Sequence, residues 1–227
     1  MARFRTAALV GNPNAGKSAL FNALTGARQK IANYAGVTVE RKAGRLVLPS
    51  GEPVELTDLP GSYGLNATSP DEEVTRKVVL GEFPGEAAPD VLVIVLDAAN
   101  LEQHLVFAQE VLELGKPTLV ALNMVDLAER DGLVVDPAAL AGALGVPVVA
   151  TVAVRRRGLE DLIAAIARAE SMPPAKRPAH VGMTERRLAA HANVTAPDHA
   201  VRGRSRHRAQ HQPDRRHEHQ NGRAAHA

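Results

Sequence analysis

Short apolar runs alternate with stretches of helical period from the N-terminus to about residue 169. Ala7–Val10 reads as a strand, and a Gly/Asn/Pro loop and a helix over Lys17–Leu24 follow it. Residues 28–42 read as a polar loop. Arg45–Leu48 and Val54–Leu56 flank the turn residues Pro49-Ser-Gly-Glu-Pro53 and predict a hairpin. A second loop, rich in Gly, Pro, Ser and Asn, covers 59–70. The next helix spans Asp71–Leu80, with Ser69 as its N-cap and Pro70 in its first turn. Val91–Leu96 predicts a buried strand and Leu101–Leu114 a helix closed by Gly115. Thr118–Leu122 is a strand, Pro137–Leu144 a helix ending at Gly145, Val146–Thr151 a strand, and Gly158–Ala169 a last helix. His104, within a predicted helix, is expected on the surface.

Near-continuous Val/Leu/Ile strands separated by helices argue for an α/β fold. The expectation is a mostly parallel sheet of six strands with helices on both faces. In such a sheet, ligands sit beyond the carboxyl ends of the strands. The chemistry-bearing motifs fall there.

Gly11-Asn-Pro-Asn-Ala-Gly-Lys-Ser18 matches the phosphate-loop pattern G-x-x-x-x-G-K-[ST] in full, between a strand and a helix. Its glycines let backbone amides face a phosphate, and the helix N-terminus adds partial positive charge. Lys17 suits the β- and γ-phosphates, and the Ser18 hydroxyl suits Mg²⁺. Asp58-Leu-Pro-Gly61 is D-x-x-G at a strand end. The Asp58 carboxylate suits the Mg²⁺ shell, and the Gly61 amide suits a γ-phosphate oxygen whose loss releases the loop. Thr38, in Tyr34-Ala-Gly-Val-Thr-Val-Glu40, is placed to give a hydroxyl to Mg²⁺ and an amide to the γ-phosphate.

Asn123-Met-Val-Asp126 is N-x-x-D after a strand. The Asp126 carboxylate offers two acceptors to the N1–H and 2-amino donors of guanine. Adenine would leave them unpaired, and such mispairing discriminates by roughly 10⁴-fold. Lysine commonly stands second in this motif; Met124 gives apolar cover without the charge. A small-residue loop should hold the base after the last strand, and Thr151-Val-Ala-Val-Arg155 occupies that place, centred on Ala153.

Lys17, Thr38 and Gly61 are thus the expected catalytic groups. The nucleotide is expected against Gly11, Asn12, Pro13, Asn14, Ala15, Gly16, Lys17, Ser18 and Ala19 of the first loop. Gly36, Val37 and Thr38, then Asp58, Leu59, Pro60 and Gly61, form the next two contacts. Asn123, Met124 and Asp126, with Val152, Ala153 and Val154, form the base contacts.

In order and kind these motifs resemble those of Ras-like P-loop GTPases of the translation-factor class. Gly11-Asn-Pro-Asn14, Asn33-Tyr-Ala-Gly-Val-Thr-Val-Glu40, Asp58-Leu-Pro-Gly-Ser-Tyr-Gly64, Ser69-Pro-Asp-Glu-Glu73 and Asn123-Met-Val-Asp126 narrow the resemblance. From about residue 4 to 170 the chain resembles the N-terminal G domain of the bacterial ferrous iron transport protein B family. Ala35 stands where that family usually has proline. The resemblance implies GTP and GDP as ligands, Mg²⁺ as cofactor, and slow hydrolysis stimulated by K⁺. Asn14 matches the asparagine that helps hold K⁺. It also implies a position on the cytoplasmic side of the inner membrane, ahead of a permease domain that is not evident in these 227 residues. A homo-oligomer is compatible with it, and no nucleic acid is expected. Two other readings stay open: a free soluble GTPase of the Era or TrmE groups, and a nucleotide-binding module without turnover. The first of these normally carries N-K-x-D.

Composition changes the picture at one place. The net charge of +2 hides a division at Pro173: residues 173–227 hold 11 Lys+Arg, 4 Asp+Glu and 8 of the 9 histidines. An acidic body of −5 therefore precedes a basic tail of +7, so a chain-wide nucleic-acid reading is not licensed. The domains expected are 1–170 and a tail over 171–227 with at most one helix, Met183–Ala192. Arg202–Ala227 reads as a solvated polar segment, with His217-Glu-His219 as a metal-binding alternative and a polybasic arm as another. The chain has no cysteine, which excludes disulfides and thiolate chemistry. No signal peptide is visible, and no run approaches the ~18–20 apolar residues of a membrane span. The expectation is a soluble, cytoplasmic chain.

Overall fold

Strand β1 (Thr6–Val10) is buried at four of its five positions, and the Gly/Pro loop after it leads into α1 (Lys17–Thr25). The computed structural model describes residues 5–26, 29–169 and 193–194. The chain continues through β2 (Gln29–Asn33), β3 (Glu40–Val47), β4 (Pro53–Asp58) and α2 (Pro70–Leu80). Next come β5 (Val91–Asp97), α3 (Leu101–Glu113), β6 (Thr118–Asn123) and α4 (Val125–Arg130). The series closes with β7 (Val134–Val135), α5 (Pro137–Leu144), β8 (Val148–Ala150), α6 (Leu159–Arg168) and β9 (Asn193–Val194).

One sheet has the order β2-β3-β4-β1-β5-β6-β8. The pairings β4/β1, β1/β5, β5/β6 and β6/β8 are parallel, and β2/β3 and β3/β4 are antiparallel. The continuous apolar run of β5 follows from burial on both faces. Leu92, Ile94 and Leu96 enter the cluster that includes residues of α2, α3, α4 and α5, while Val91, Val93 and Val95 enter the one that includes residues of α1 and α6. Successive side chains of a strand point to opposite faces, so alternate residues feed separate cores. The fold is the expected Ras-like α/β architecture.

The helix signals hold locally. Ser69 Oγ accepts a hydrogen bond from Glu72 N at 3.3 Å, Pro70 opens α2, and Gly81 ends it in the left-handed region. Asp136 caps α5 through the amides of Ala138 and Ala139, and Gly145 closes it.

Four expectations are corrected. The sheet has seven strands, not six, because the stretch 28–42 read as a polar loop contains β2 and the start of β3. Strand β2 is an edge with four of five residues exposed, so no apolar alternation marks it. The strand expected at Val146–Thr151 is the three-residue β8, at the other edge. Helix α4, only six residues long, and the two-residue β7 are too short to leave a period in the sequence. His104 is buried, not on the surface: it lies on the inward face of α3 among Leu101, Leu105 and Ala108.

The chain divides into two compact units, Met1–Ala196 and Pro197–Ala227. Within the first, the backbone of β9 pairs antiparallel with β7. The Met183–Ala192 helix, the Arg202–Ala227 segment and its histidines lie outside the described residues. Among the described residues, no helix is long and apolar enough to cross a membrane.

Candidate nucleotide site

The loops that leave the carboxyl ends of β1, β4, β6 and β8 hold most of the motifs. In the first, close packing demands the glycines. A Cβ on Gly11 would stand 2.4 Å from the Val95 carbonyl oxygen, and one on Gly16 would stand 2.3 Å from Asn123 Nδ2. Gly16 also has φ +84°, a conformation that only glycine adopts at little cost. Asn14 takes the left-handed region at φ +66°, which asparagine tolerates better than most residues. Behind the loop, Lys17 is buried and its Nζ donates to the carbonyls of Gly11 and Asn12, both at 3.0 Å. Burial pulls the lysine pKa down, and the charge of Asp58 opposes that shift.

A cavity of about 340 Å³ opens beside this loop. It brings together Lys17, Ser18, Thr38, Asp58, Leu59, Pro60 and Gly61 from three separate motifs. Val39, Glu40, Lys42 and Asp71 also line it and were not singled out from sequence. Gly36 and Val37 sit on the same loop as Thr38 but are not among the lining residues. That loop is anchored from within. The Tyr34 ring is buried edge-on to Phe83 at 5.1 Å, and its amide donates to the Val39 carbonyl at 2.9 Å, leaving Thr38 exposed at the tip.

Ser18 Oγ donates to Asp58 Oδ2 at 2.7 Å, while Asp58 Oδ1 is buried with no hydrogen-bond partner. Burial pushes the Asp58 pKa up, against the Ser18 hydrogen bond and the charges of Lys17 and Lys42. An unsatisfied buried carboxylate oxygen beside a hydroxyl is a fitting place for a cation. Among the described residues no group of three or more His, Cys, Asp or Glu gathers to hold a metal. One carboxylate and two hydroxyls therefore fit Mg²⁺ that draws its other ligands from phosphate and water.

The D-x-x-G loop is seated on the phosphate loop. A Cβ on Gly61 would lie 2.9 Å from Pro13, and Ser62 N donates to the Gly11 carbonyl at 3.2 Å. Two carboxylates hold the segment beyond it. Glu72 accepts from Tyr63 N at 3.1 Å, Thr68 N at 2.8 Å and Thr68 Oγ1 at 2.6 Å; Glu110, from α3, accepts from Leu65 N. The Thr68 hydroxyl, then the amides of Thr68 and Tyr63, hold the Glu72 pKa below its ordinary 4.5. A depressed folded-state pKa means stability present above the unfolded value and lost as pH falls through the folded one. Acidification below about pH 4.5 is therefore expected to release the 63–68 segment in the parent. Glu72→Gln should be weaker at neutral pH but flat across that window. Amide protection at Tyr63 and Thr68, taken relative to intrinsic exchange at each pH, checks this; identical protection profiles would show that Glu72 does not hold the loop.

The second cavity, about 180 Å³, is lined by Ala19, Asn123, Met124, Asp126, Leu127, Val152, Ala153 and Val154. Seven of these eight were expected; Leu127 is added by the first turns of α4. Asn123, expected as a base contact, makes structural bonds of its own. Its Nδ2 donates to the Ala15 carbonyl at 3.1 Å, and its Oδ1 accepts from Ala153 N at 3.1 Å and Thr151 Oγ1 at 3.3 Å. One buried side chain thus fastens the phosphate loop to the base loop. A larger cavity of about 480 Å³, against β2, β3 and β4, contains none of the motif residues, so chemistry rather than size identifies the site. His104 packs behind: its Nδ1 accepts from Asp97 N at 3.4 Å, and burial pulls its pKa down.

Comparison with known proteins gives one consistent result. The sequence profile of the family described as ferrous iron transport protein B matches residues 5–166. The Fe(2+) transporter FeoB of Salmonella typhimurium is 48% identical over 167 residues, 72% of this chain and 21% of the transporter. The chain thus spans about a fifth of the length of the curated relatives it matches. Among solved structures, the G domain of the T. maritima FeoB iron transporter matches with a TM-score of 0.66 at 40% identity, covering 74% of this chain and 99% of that one. The cytosolic domain of the same transporter in its GMPPNP form matches with a TM-score of 0.69 at 39% identity, covering 76% and 66%.

Proposed function

The chain belongs to the ferrous iron transport protein B family, and from that premise we propose that residues 1–170 form a GTP-binding, GTP-hydrolysing switch domain for ferrous iron uptake. One observation carries the reading: Asn123 bonds Ala15 and Ala153, joining a cavity of phosphate-loop character to a cavity that holds Asp126. That pairing suits a molecule with phosphates at one end and a hydrogen-bonding base at the other. The solved relative in GMPPNP form supports the same ligand class.

In this reading Lys17 binds the β- and γ-phosphates, and the Gly61 and Thr38 amides bind the γ-phosphate. Ser18, Thr38 and Asp58 hold Mg²⁺, which supplies charge neutralisation to the triphosphate. Asp126 reads guanine. Asn14, at the exposed crest of the first loop, contributes to a K⁺ site. Ser62-Tyr63 follow Gly61, so no glutamine stands there to orient water, and turnover is slow. Catalysis is then mainly electrostatic, through prearranged positive charge around the phosphates. No part in the switch is assigned to the basic tail over 171–227, of which Asn193–Val194 pairs with β7, and the switch acts on a membrane permease.

Phosphate release from GTP in K⁺ against Na⁺, with ATP as control, tests the proposal. Turnover in K⁺ well above that in Na⁺ is expected. GDP binding with no release in either salt would leave a nucleotide-binding module, and preference for ATP would overturn the base assignment.

A further inference from the structure

Three consecutive arginines, Arg155–Arg157, leave β8 beside the base cavity, and they have different partners. Arg157 is committed to α4: its Nη2 lies 3.0 Å and its Nη1 3.3 Å from the two carboxylate oxygens of Glu129. Arg155 instead reaches the base motif, with its Nε 3.5 Å from Asp126 Oδ2. The loop that carries it is closed at both ends. Val152 N donates to the Arg157 carbonyl at 3.0 Å and Arg157 N donates back at 3.2 Å, while Arg155 N bonds the Val152 carbonyl at 3.0 Å. Arg156 turns the chain in the left-handed region at φ +57°. Gly158 seats the loop on the sheet, where a Cβ would stand 2.1 Å from the Ala150 carbonyl oxygen. The loop thus fixes where the Arg155 backbone stands, on the side of the cavity that faces Asp126.

We propose that Arg155 is a positioning and specificity residue of the base site, orienting the Asp126 carboxylate for guanine; this rests on the reading of that cavity as a guanine pocket. Asp126 is the one ionisable residue among the eight that line the cavity, and its side chain is only 14% exposed. The motif's usual cation is missing, because Met124 occupies the lysine position. Arg155 brings a permanent charge to the same carboxylate from the opposing loop. A guanidinium offers only donors, so it faces one carboxylate oxygen of Asp126 and leaves acceptor capacity for the base. A carboxylate oxygen has two acceptor sites, so contact with Nε does not exclude a hydrogen bond from guanine. At 71% exposure the arginine is open to solvent, so the pair is worth a modest factor and its removal spares the core.

The test is the affinity of the full chain for GDP and for inosine diphosphate, which lacks the 2-amino group. Arg155→Ala is expected to weaken GDP by about three- to fivefold and inosine diphosphate less, so the ratio between them falls. The ratio of GTP to GDP affinity should not move. In an Asp126→Asn background, Arg155→Ala should leave GDP affinity unchanged, because its partner charge is gone. An unchanged GDP-to-inosine ratio, or an equal loss in both backgrounds, would overturn the proposal. Parent protein that binds ADP as well as GDP would overturn the guanine reading beneath it, a failure that shows before any variant is made.

Discussion

Lys17→Ala is expected to lower affinity for GDP and GTP by about 10²–10³-fold while leaving the folded structure in place. The size follows from the bonds lost. The ammonium is buried at the base of the phosphate loop and already held by the carbonyls of Gly11 and Asn12. It thus meets a phosphate with little conformational freedom left to lose. Each hydrogen bond to a charged group is worth about 1.5–3 kcal/mol, and two such bonds at the low end of that range, about 3–4 kcal/mol together, give a factor of this size. The cost to the fold is small because burial already penalises the charged form of this lysine. Its removal leaves the Gly11 carbonyl with Ser62 N and the Asn12 carbonyl with Ala15 N, and it opens no apolar core. Asp58 loses an opposing charge, so its already raised pKa should move further up. Titration with a fluorescent GDP analogue, beside a thermal melt, separates binding from folding. Unchanged affinity would remove Lys17 from the phosphate site. A collapsed melting transition would make it a structural residue. Guanine preference over adenine should survive, since the base cavity does not include Lys17.

The sequence was most informative where backbone demands coincide with side-chain demands. Gly11 and Gly16 are legible because a phosphate loop needs them, and the structure shows the same glycines needed for contact with Val95 and Asn123. Strand β5 is legible because burial on both faces makes its first six residues, Val91–Leu96, a continuous apolar run. Strand β2 is not legible, because it is exposed at a sheet edge and stabilised by backbone pairing with β3, which carries no side-chain signature. His104 shows the limit of reading helix faces by residue type: a histidine counts as polar, yet its neutral ring fits an inward position once an amide meets Nδ1. The partners of Asn123 and Asp126 lie 28 to 108 residues away in sequence, so the joining of two loops by Asn123 and the approach of Arg155 emerge only when β1, β6 and β8 are aligned in one sheet. Glu72 was visible as part of an N-capping stretch, but its hold on the D-x-x-G segment depends on how that loop folds back over α2.

Asp126→Asn carries the other large effect, an exchange of base preference rather than a uniform loss. A carboxylate presents two acceptors, matched to the N1–H and 2-amino donors of guanine. An asparagine presents one acceptor and one donor. Its amide would meet the guanine 2-amino group donor to donor, but it would meet xanthine correctly, because xanthine has N1–H beside a 2-carbonyl. A site built for a hydrogen bond rejects the mismatched partner by roughly 10⁴-fold. GDP affinity is thus expected to fall by about 10²–10⁴-fold and xanthosine diphosphate to become the preferred ligand. The fold should tolerate the change. Asp126 lies in the first turn of α4, where losing a negative charge costs about 0.3–1 kcal/mol, and its ion pair with the exposed Arg155 adds little more. The cavity walls, from Ala19, Met124, Leu127 and the Val152–Val154 loop, are unaltered, so shape still selects a purine. Competition binding of GDP, ADP and xanthosine diphosphate decides the matter. Retained preference for GDP would show that the carboxylate does not read the base. Loss of GDP with no gain for xanthosine diphosphate would mean that Asp126 shapes the loop rather than pairing with its ligand.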